Sequence, residues 1–201
     1  MVLKIYAAPT LEPVTIAEVK EHLRLDTTTD VEDSYLAALI TAARVHVESV
    51  TNRALVTQTW DEYWDEWPAS ELLLSRAPLV SVTSLSYTDS AAATSVVSAT
   101  LYDVDTDSTP GRITLGYGDS WPSVVLHPKN PIAVRYVAGY GSTAVVAVAS
   151  IPRPIKQALL LLVGHWYESR EAVGESLAGA ERKVLPFGVD ALLANYRVWH
   201  L

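Results

Sequence analysis

Between Ile155 and Trp166 the apolar side chains Ala158, Leu159, Leu162, Val163 and Trp166 recur at the i, i+3, i+4, i+7 spacing of one helical face. Leu160 and Leu161 fill the flanks, so the middle of this helix is apolar all round and has to be covered on most sides. That requirement constrains the rest of the chain, which must supply amphipathic elements able to cover it. Pro152 and Pro154 stand ahead of the helix or in its first turn, where a missing N–H costs nothing. Glu168, Ser169, Arg170 and Glu171 turn its end polar, and Gly174 stands where a helix stop is expected. After a polar hinge, GESLAGAERK, Pro186 opens a shorter helix with Val189, Leu192, Leu193 and Tyr196 on one side.

Two further helices are signalled near the N-terminus. Thr15-Ile16-Ala17-Glu18 is a capping box, with Val14 and Val19 placed for the accompanying hydrophobic staple, and predicts a helix to about Leu25. Thr29-Asp30-Val31-Glu32 repeats the pattern. It predicts a second helix whose broad apolar face holds Val31, Tyr35, Leu36, Leu39, Ile40, Ala43, Val47 and Val50, with Asn52 as C-cap. The short polar turn between them favours an antiparallel pair. After Arg53 the period changes. Leu55 to Trp67, Glu71 to Ser75, Val80 to Tyr87, Leu101 to Val104, Arg112 to Leu115 and Ile132 to Val137 are strand-like runs bounded by Pro, Gly, Asp and Ser. Ser90 to Thr100 and Ser142 to Ser150 read as loops, the second carrying the apolar run STAVVAVAS.

The expectation is an α+β fold: an N-terminal helix pair and C-terminal helices form a helical core, into which an antiparallel β region is inserted. The divisions are a helical segment over 1–54, the β region over 55–138, and C-terminal helices with a tail over 139–201, together one composite domain. With 49% of 201 residues apolar, a core of this kind is within reach.

Composition narrows the function classes. The chain has no cysteine, which removes disulfide frameworks and thiolate metal sites. A formal charge of −8 is the wrong sign for a surface that grips nucleic acid. The start, MVLKIYAAPTLEPVT, does not read as a signal peptide, and Ala158 to Val163 is far too short to span a membrane. Six Trp and ten Tyr against one Phe favour half-wet surfaces and subunit contacts, because each ring pairs an apolar body with a polar tip.

Several groupings have the residue types of a chemical site. Asp103-x-Asp105-x-Asp107 imitates the start of a calcium loop, but Ser108 and Thr114 stand where Gly and a bidentate Glu are needed, so a solvated turn is the better reading. His165 and Glu168 lie one helical turn apart but signal no third ligand; His165 packing near Trp166 is favoured. Trp60, Tyr63, Trp64 and Trp67 could form a stacking platform for sugars or bases. The interleaved Asp61, Glu62, Asp65 and Glu66 would repel phosphate, so sheet core or subunit contact is preferred. Gly139-Tyr140-Gly141 lacks the Lys-Ser/Thr and the helix of a phosphate loop. No nucleophile elbow surrounds any Ser. Arg197, Trp199 and Leu201 close the chain with apolar surface that either docks on a partner or folds back on the core.

The stretches VTIAEVKEHLRLD, DVEDSYLAALITAARVHVESVTNRAL, QTW, APLVSVTSLSY, VRYVAGYG, IPRPIKQALLLLVGHWYESREAV and LPFGVDALLANYRV resemble the head–tail connector, or adaptor, family of tailed bacteriophages and gene transfer agents. The similarity covers nearly the whole chain; IKQALLLLVGHWYESRE and LPFGVDALLANYR are its most specific parts. The loop from Gly141 to Ile151 departs from the family in being longer and more apolar. The resemblance implies a structural protein with no catalysis and no cofactor. It implies a head-to-tail ring of about twelve copies beneath the portal, in a particle neck assembled from protein made in the bacterial cytoplasm. Its partners would be the portal protein and the next neck or tail protein, with DNA passing through the channel unbound. On this reading Leu159, Leu162 and Trp166 belong to the core and assembly helix, and Arg197, Trp199 and Leu201 reach the portal or a neighbouring subunit. The competing reading is a β module on a helical stalk that binds glycan-type ligands through its Trp and Tyr strands.

Overall fold

The structure, a computed structural model, describes residues 2–142, 150–169 and 187–199. It is an α+β fold with two antiparallel sheets and, among the described residues, four α-helices. The strands are β1 (Val2–Ala7), β2 (Gln58–Trp64), β3 (Glu71–Leu73), β4 (Leu79–Thr88), β5 (Thr94–Val96), β6 (Tyr102–Asp105), β7 (Arg112–Leu115) and β8 (Ile132–Ala138). The helices are α1 (Ile16–Leu23), α2 (Asp33–Thr51), α3 (Arg153–Glu168) and α4 (Phe187–Leu193), the last followed by a 3-10 turn at Ala194–Tyr196. The chain divides into two compact units. One comprises Met1–Thr10, Asn52–Ser142 and Val198–Leu201; the other comprises Leu11–Thr51 and Thr143–Arg197.

In the helical unit α3 packs against α1, α2 and α4. Its buried residues are Ile155, Ala158, Leu159, Leu162 and Val163, the face that the spacing predicts, while Leu160, Leu161 and Trp166 are half-buried. Leu36, Ile40, Ala43 and Val47 of α2, with Val189 and Leu193 of α4, complete this core. The first capping box is formed: the Glu18 amide donates to Thr15 Oγ1 at 3.1 Å and the Thr15 amide donates to Glu18 Oε2 at 2.7 Å. The second is not. The chain turns at Asp30, whose carbonyl accepts from the Asp33 amide, and α2 begins only at Asp33. Lys20 explains the difference: its ammonium reaches both the Thr29 carbonyl and the Asp33 carboxylate, so a tertiary contact fixes the turn. Val31, expected on the apolar face of α2, is consequently 88% exposed. Asn52, at φ +54°, provides the left-handed residue that ends α2.

The β unit holds a five-stranded sheet in the order β1-β2-β8-β4-β5 and a three-stranded sheet in the order β3-β7-β6. On the central strand β8 the buried residues Ile132, Val134, Tyr136 and Ala138 alternate with half-buried Ala133, Arg135 and Val137. That period of two separates an inner from an outer face. The inner face shares one apolar core with Leu72 of β3, Leu85 of β4 and Ile113 of β7. Two strands were not anticipated. Val2–Ala7 pairs with β2, so the N-terminal segment is not helical throughout; Thr94–Val96 lies inside the stretch read as a loop and pairs with β4. Leu55 and Val56, read as the start of a strand, are buried but precede β2. The helix stop at Gly174, the polar hinge, the Pro186 helix start and the apolar run of the Ser142–Ser150 loop lie outside the described residues.

Candidate functional site

The aromatic run of β2 is divided by the pleat. Trp60 and Trp64 point inward and pack, with Trp67, against the core. Trp67 stacks on Trp121 with ring centres 4.7 Å apart and planes within 7°, and meets Tyr87 edge-on. The Arg76 guanidinium lies 4.9 Å from the centre of the Trp60 ring. These half-buried rings therefore pack against the core of the β unit and one another and do not form an open stacking platform. Tyr63 alone of the four sits on the outer face, where Lys4 Nζ approaches its ring at 5.4 Å.

Between the inward Trp side chains lies a group that the sequence did not single out. Glu62 is fully buried. Its carboxylate accepts from Tyr136 Oη at 2.9 Å, from the Ser75 amide at 2.9 Å and from Ser75 Oγ. The Arg76 amide in turn donates to Tyr136 Oη at 3.2 Å. Burial first, then the negative charge of Glu62 and its hydrogen bond, push the Tyr136 phenol above its ordinary value, so it remains a donor. The network pins the backbone that leaves β3 onto the sheet. It is a structural polar cluster sealed in the core, with no access for a substrate.

On the outer face Arg135 makes a two-pronged contact with Asp61 at 2.7 and 2.8 Å and lies 3.4 Å from the centre of the Tyr6 ring. Asp61, Tyr63, Ser84, Ser86, Thr94, Val96, Ala133 and Arg135 line a shallow depression of about 260 Å³. Here every charged group is already paired. In the helical unit His22, Arg24, Leu161, Gly164, His165 and Glu168 line a second open depression. His165 and Glu168 both line it, but among the described residues no group of three or more His, Cys, Asp or Glu could hold a metal ion. Trp166 meets His46 edge-on at 6.1 Å.

The acidic triplet resolves into a hairpin turn. Asp105 accepts from the amides of Asp107 and Ser108 and from Arg112 Nε at 2.9 Å, which leaves it tied to its own hairpin. Gly139, at φ +140°, crosses so close to Thr57 that a Cβ would lie 2.5 Å from the Thr57 nitrogen; the Gly141 carbonyl accepts from the Thr57 amide. This is a backbone crossing, not a phosphate cradle.

The closing residues behave differently from one another. Arg197 donates to Asp190 of α4 at 3.2 Å. Val198 is 5% exposed and its carbonyl accepts from Asn52 Nδ2 at 2.9 Å. Trp199 then stands 72% exposed. Leu201 lies outside the described residues. The chain thus presents an exposed tryptophan directly after the anchored Val198.

Among curated proteins none matches the chain. Among solved structures, a chain in the neck of an empty gene transfer agent particle computed with C6 symmetry is 27% identical with a TM-score of 0.78. A chain in the virion of a native gene transfer agent particle is 26% identical with a TM-score of 0.77. A chain in the neck of the native particle computed with C12 symmetry is 25% identical with a TM-score of 0.75. In each case the similarity covers 100% of this chain and 97% of the other. The profile described as Head completion protein spans residues 12–199, from ahead of the first capping box to the exposed tryptophan, and the chain belongs to that family.

Proposed function

We propose that the chain is a structural component of the neck of a phage-like particle, a connector whose copies close into a ring between portal and tail. The observation that carries this reading is end-to-end similarity, at 97–100% coverage, to chains of gene transfer agent necks computed with C6 and C12 symmetry. About twelve copies fit the C12 neck. The portal protein and the next neck or tail protein are its partners, and DNA passes through the channel without being held. The work is mechanical, and no residue acts as a catalyst. The glycan-binding alternative loses its main support because Trp60, Trp64 and Trp67 are half-buried against the core.

The end of the chain is the docking element of this proposal, with Trp199 as its anchor, Arg197 positioning it and Leu201 extending it. Leu159, Leu162 and Trp166 act through the rod on which the connector is built. Light scattering after size exclusion, with negative-stain images, tests the ring in the presence of portal protein; a chain that stays monomeric beside its portal overturns it. Removing Val198 would also strip a buried side chain and the acceptor of Asn52, so the tail test starts at Trp199. Trp199→Ser should leave the melting temperature unchanged and weaken portal binding about thirtyfold or more, the scale of an aromatic hot spot (about 2 kcal/mol or more). Unchanged binding would remove the tail from the contact.

A further inference from the structure

The five-stranded sheet ends in β1 on one side and β5 on the other, and each has a second edge that no strand pairs among the described residues. We propose that these two edges are the halves of one contact, in which β1 of one copy takes β5 of the next copy as an added strand, head to tail. The inference rests on the ring reading and names the surfaces that close it. A heterologous contact repeated around an axis needs two different patches on every copy. The opposite edges of one sheet supply such a pair, and joining them satisfies both rows of backbone donors and acceptors at once.

The side chains agree with that pairing. Val2 and Lys4 stand opposite Tyr63 and Asp61, and Tyr6 lies over Arg135, so all three project from the outer face. Thr94 and Val96 line the same outer depression as Asp61, Tyr63 and Arg135. Apolar surface is left open on both edges of that one face: Val2 is 37%, Tyr6 60% and Val96 70% exposed. Setting β5 against β1 brings Val96 of one copy beside aliphatic or aromatic side chains of the other, the combination that stabilises neighbouring strands. Sheet edges of solitary proteins are ordinarily blunted by charge, proline or a covering loop. VLKIYA has one charge, and Lys4 is drawn toward the Tyr63 ring of its own sheet; TSV has none. The bulge between Ile5 and Ala7 limits the regular edge to Val2–Ile5, which suits a partner as short as β5. A ladder of that length sets register and direction, while neighbouring surface supplies the rest of a stable interface.

The absence of cysteine from the sequence makes the test clean. Val96→Cys is combined in turn with Val2→Cys, Lys4→Cys and Tyr6→Cys, all at exposed positions, and each double variant is assembled into rings, imaged and then oxidised. A disulfide needs Cα atoms within about 7 Å, so the pair in register should give a covalent ladder on a denaturing gel that extends to the copy number of the ring. Single-cysteine variants should give no ladder. Val96→Cys combined with Leu3→Cys or Ile5→Cys should also give none, because those side chains stand opposite Glu62 and Trp60 and project from the inner face. Rings without a ladder, a ladder equally strong from the inner-face pairs, or a bond formed only within one chain would overturn the strand contact and leave the ring intact. Failure of the wild-type chain to form rings at all would overturn the ring reading and this contact with it.

Discussion

A carboxylate without access to water has to find its donors in the protein, and Glu62 finds Tyr136 Oη, the Ser75 amide and Ser75 Oγ. Removing the acceptor strands buried donors, at about 1–3 kcal/mol for each one left unpaired. Glu62→Ala should therefore lower the stability measured by urea unfolding by several kcal/mol. Tyr136→Phe keeps the ring but removes the hydroxyl that donates to Glu62 and accepts from the Arg76 amide, and should cost about 1–3 kcal/mol. A Glu62→Ala loss no larger than that of a surface substitution, within about 0.5 kcal/mol, would mean the network holds nothing. Glu18 gives a pH-dependent counterpart. Burial alone would raise its carboxyl, but hydrogen bonds from Lys156 and Thr15 outweigh it and hold the group below its ordinary value of 4.5. A depressed carboxylate contributes stability that is complete above the unfolded value and is lost as pH falls through the lower folded value. The stability gap between the wild type and Glu18→Gln should thus be constant near neutrality and close below about pH 4.5. A gap that persists unchanged into acid would show that the Lys156 contact contributes nothing.

At the scale of elements, what could be read from the sequence was what neighbours in sequence decide. The rod α3 announced itself because five apolar positions share one face, and Leu159 and Leu162 are both fully buried. Leu159→Ala should cost about 2–5 kcal/mol and shift the denaturation midpoint without changing its slope; a smaller loss would mean that the site collapses around the deletion. The capping box at Thr15 was legible for the same reason, since all its partners lie within four residues. The identical pattern at Thr29 failed because Lys20, nine residues away in sequence, takes the Thr29 carbonyl, and no local rule contains that contact. Strands β1 and β5 were missed on similar grounds. Val2 pairs opposite Tyr63, a partner invisible to a window of ten residues, and β5 is three residues of Thr, Ser and Val with no burial to impose alternation. Glu62 was hidden by its neighbours: among Asp61, Asp65 and Glu66 it reads as one more solvated charge. The signal that could have found it is its parity with Trp60 and Trp64, which puts all three on the inner face of β2.

For the molecule as a whole the controlling quantity is charge. The proposed channel would have to pass DNA without holding it, and non-specific affinity for DNA comes from lysine and arginine side chains that neutralise phosphates and release counterions. With 15 Lys and Arg against 23 Asp and Glu, the chain carries a formal −8, and the proposed ring of about twelve copies would multiply that to roughly a hundred negative charges. Several of its cations are already paired internally: Arg44 with Glu12 and Glu48, Arg112 with Glu71 and Asp105, Arg135 with Asp61, Lys156 with Glu18. These pairs engage four of the 15 Lys and Arg, and it is the excess of 23 Asp and Glu that opposes a phosphate backbone. Fluorescence anisotropy with a labelled duplex should accordingly show dissociation constants weaker than about 10⁻⁴ M at physiological salt, the weak limit for non-specific binders. The little binding seen at low salt should disappear with a slope corresponding to no more than one or two phosphate contacts. Micromolar binding with a steep salt dependence would instead mean that the remaining cations are gathered on the surface that faces DNA, and the ring would then act as a clamp rather than as a passage.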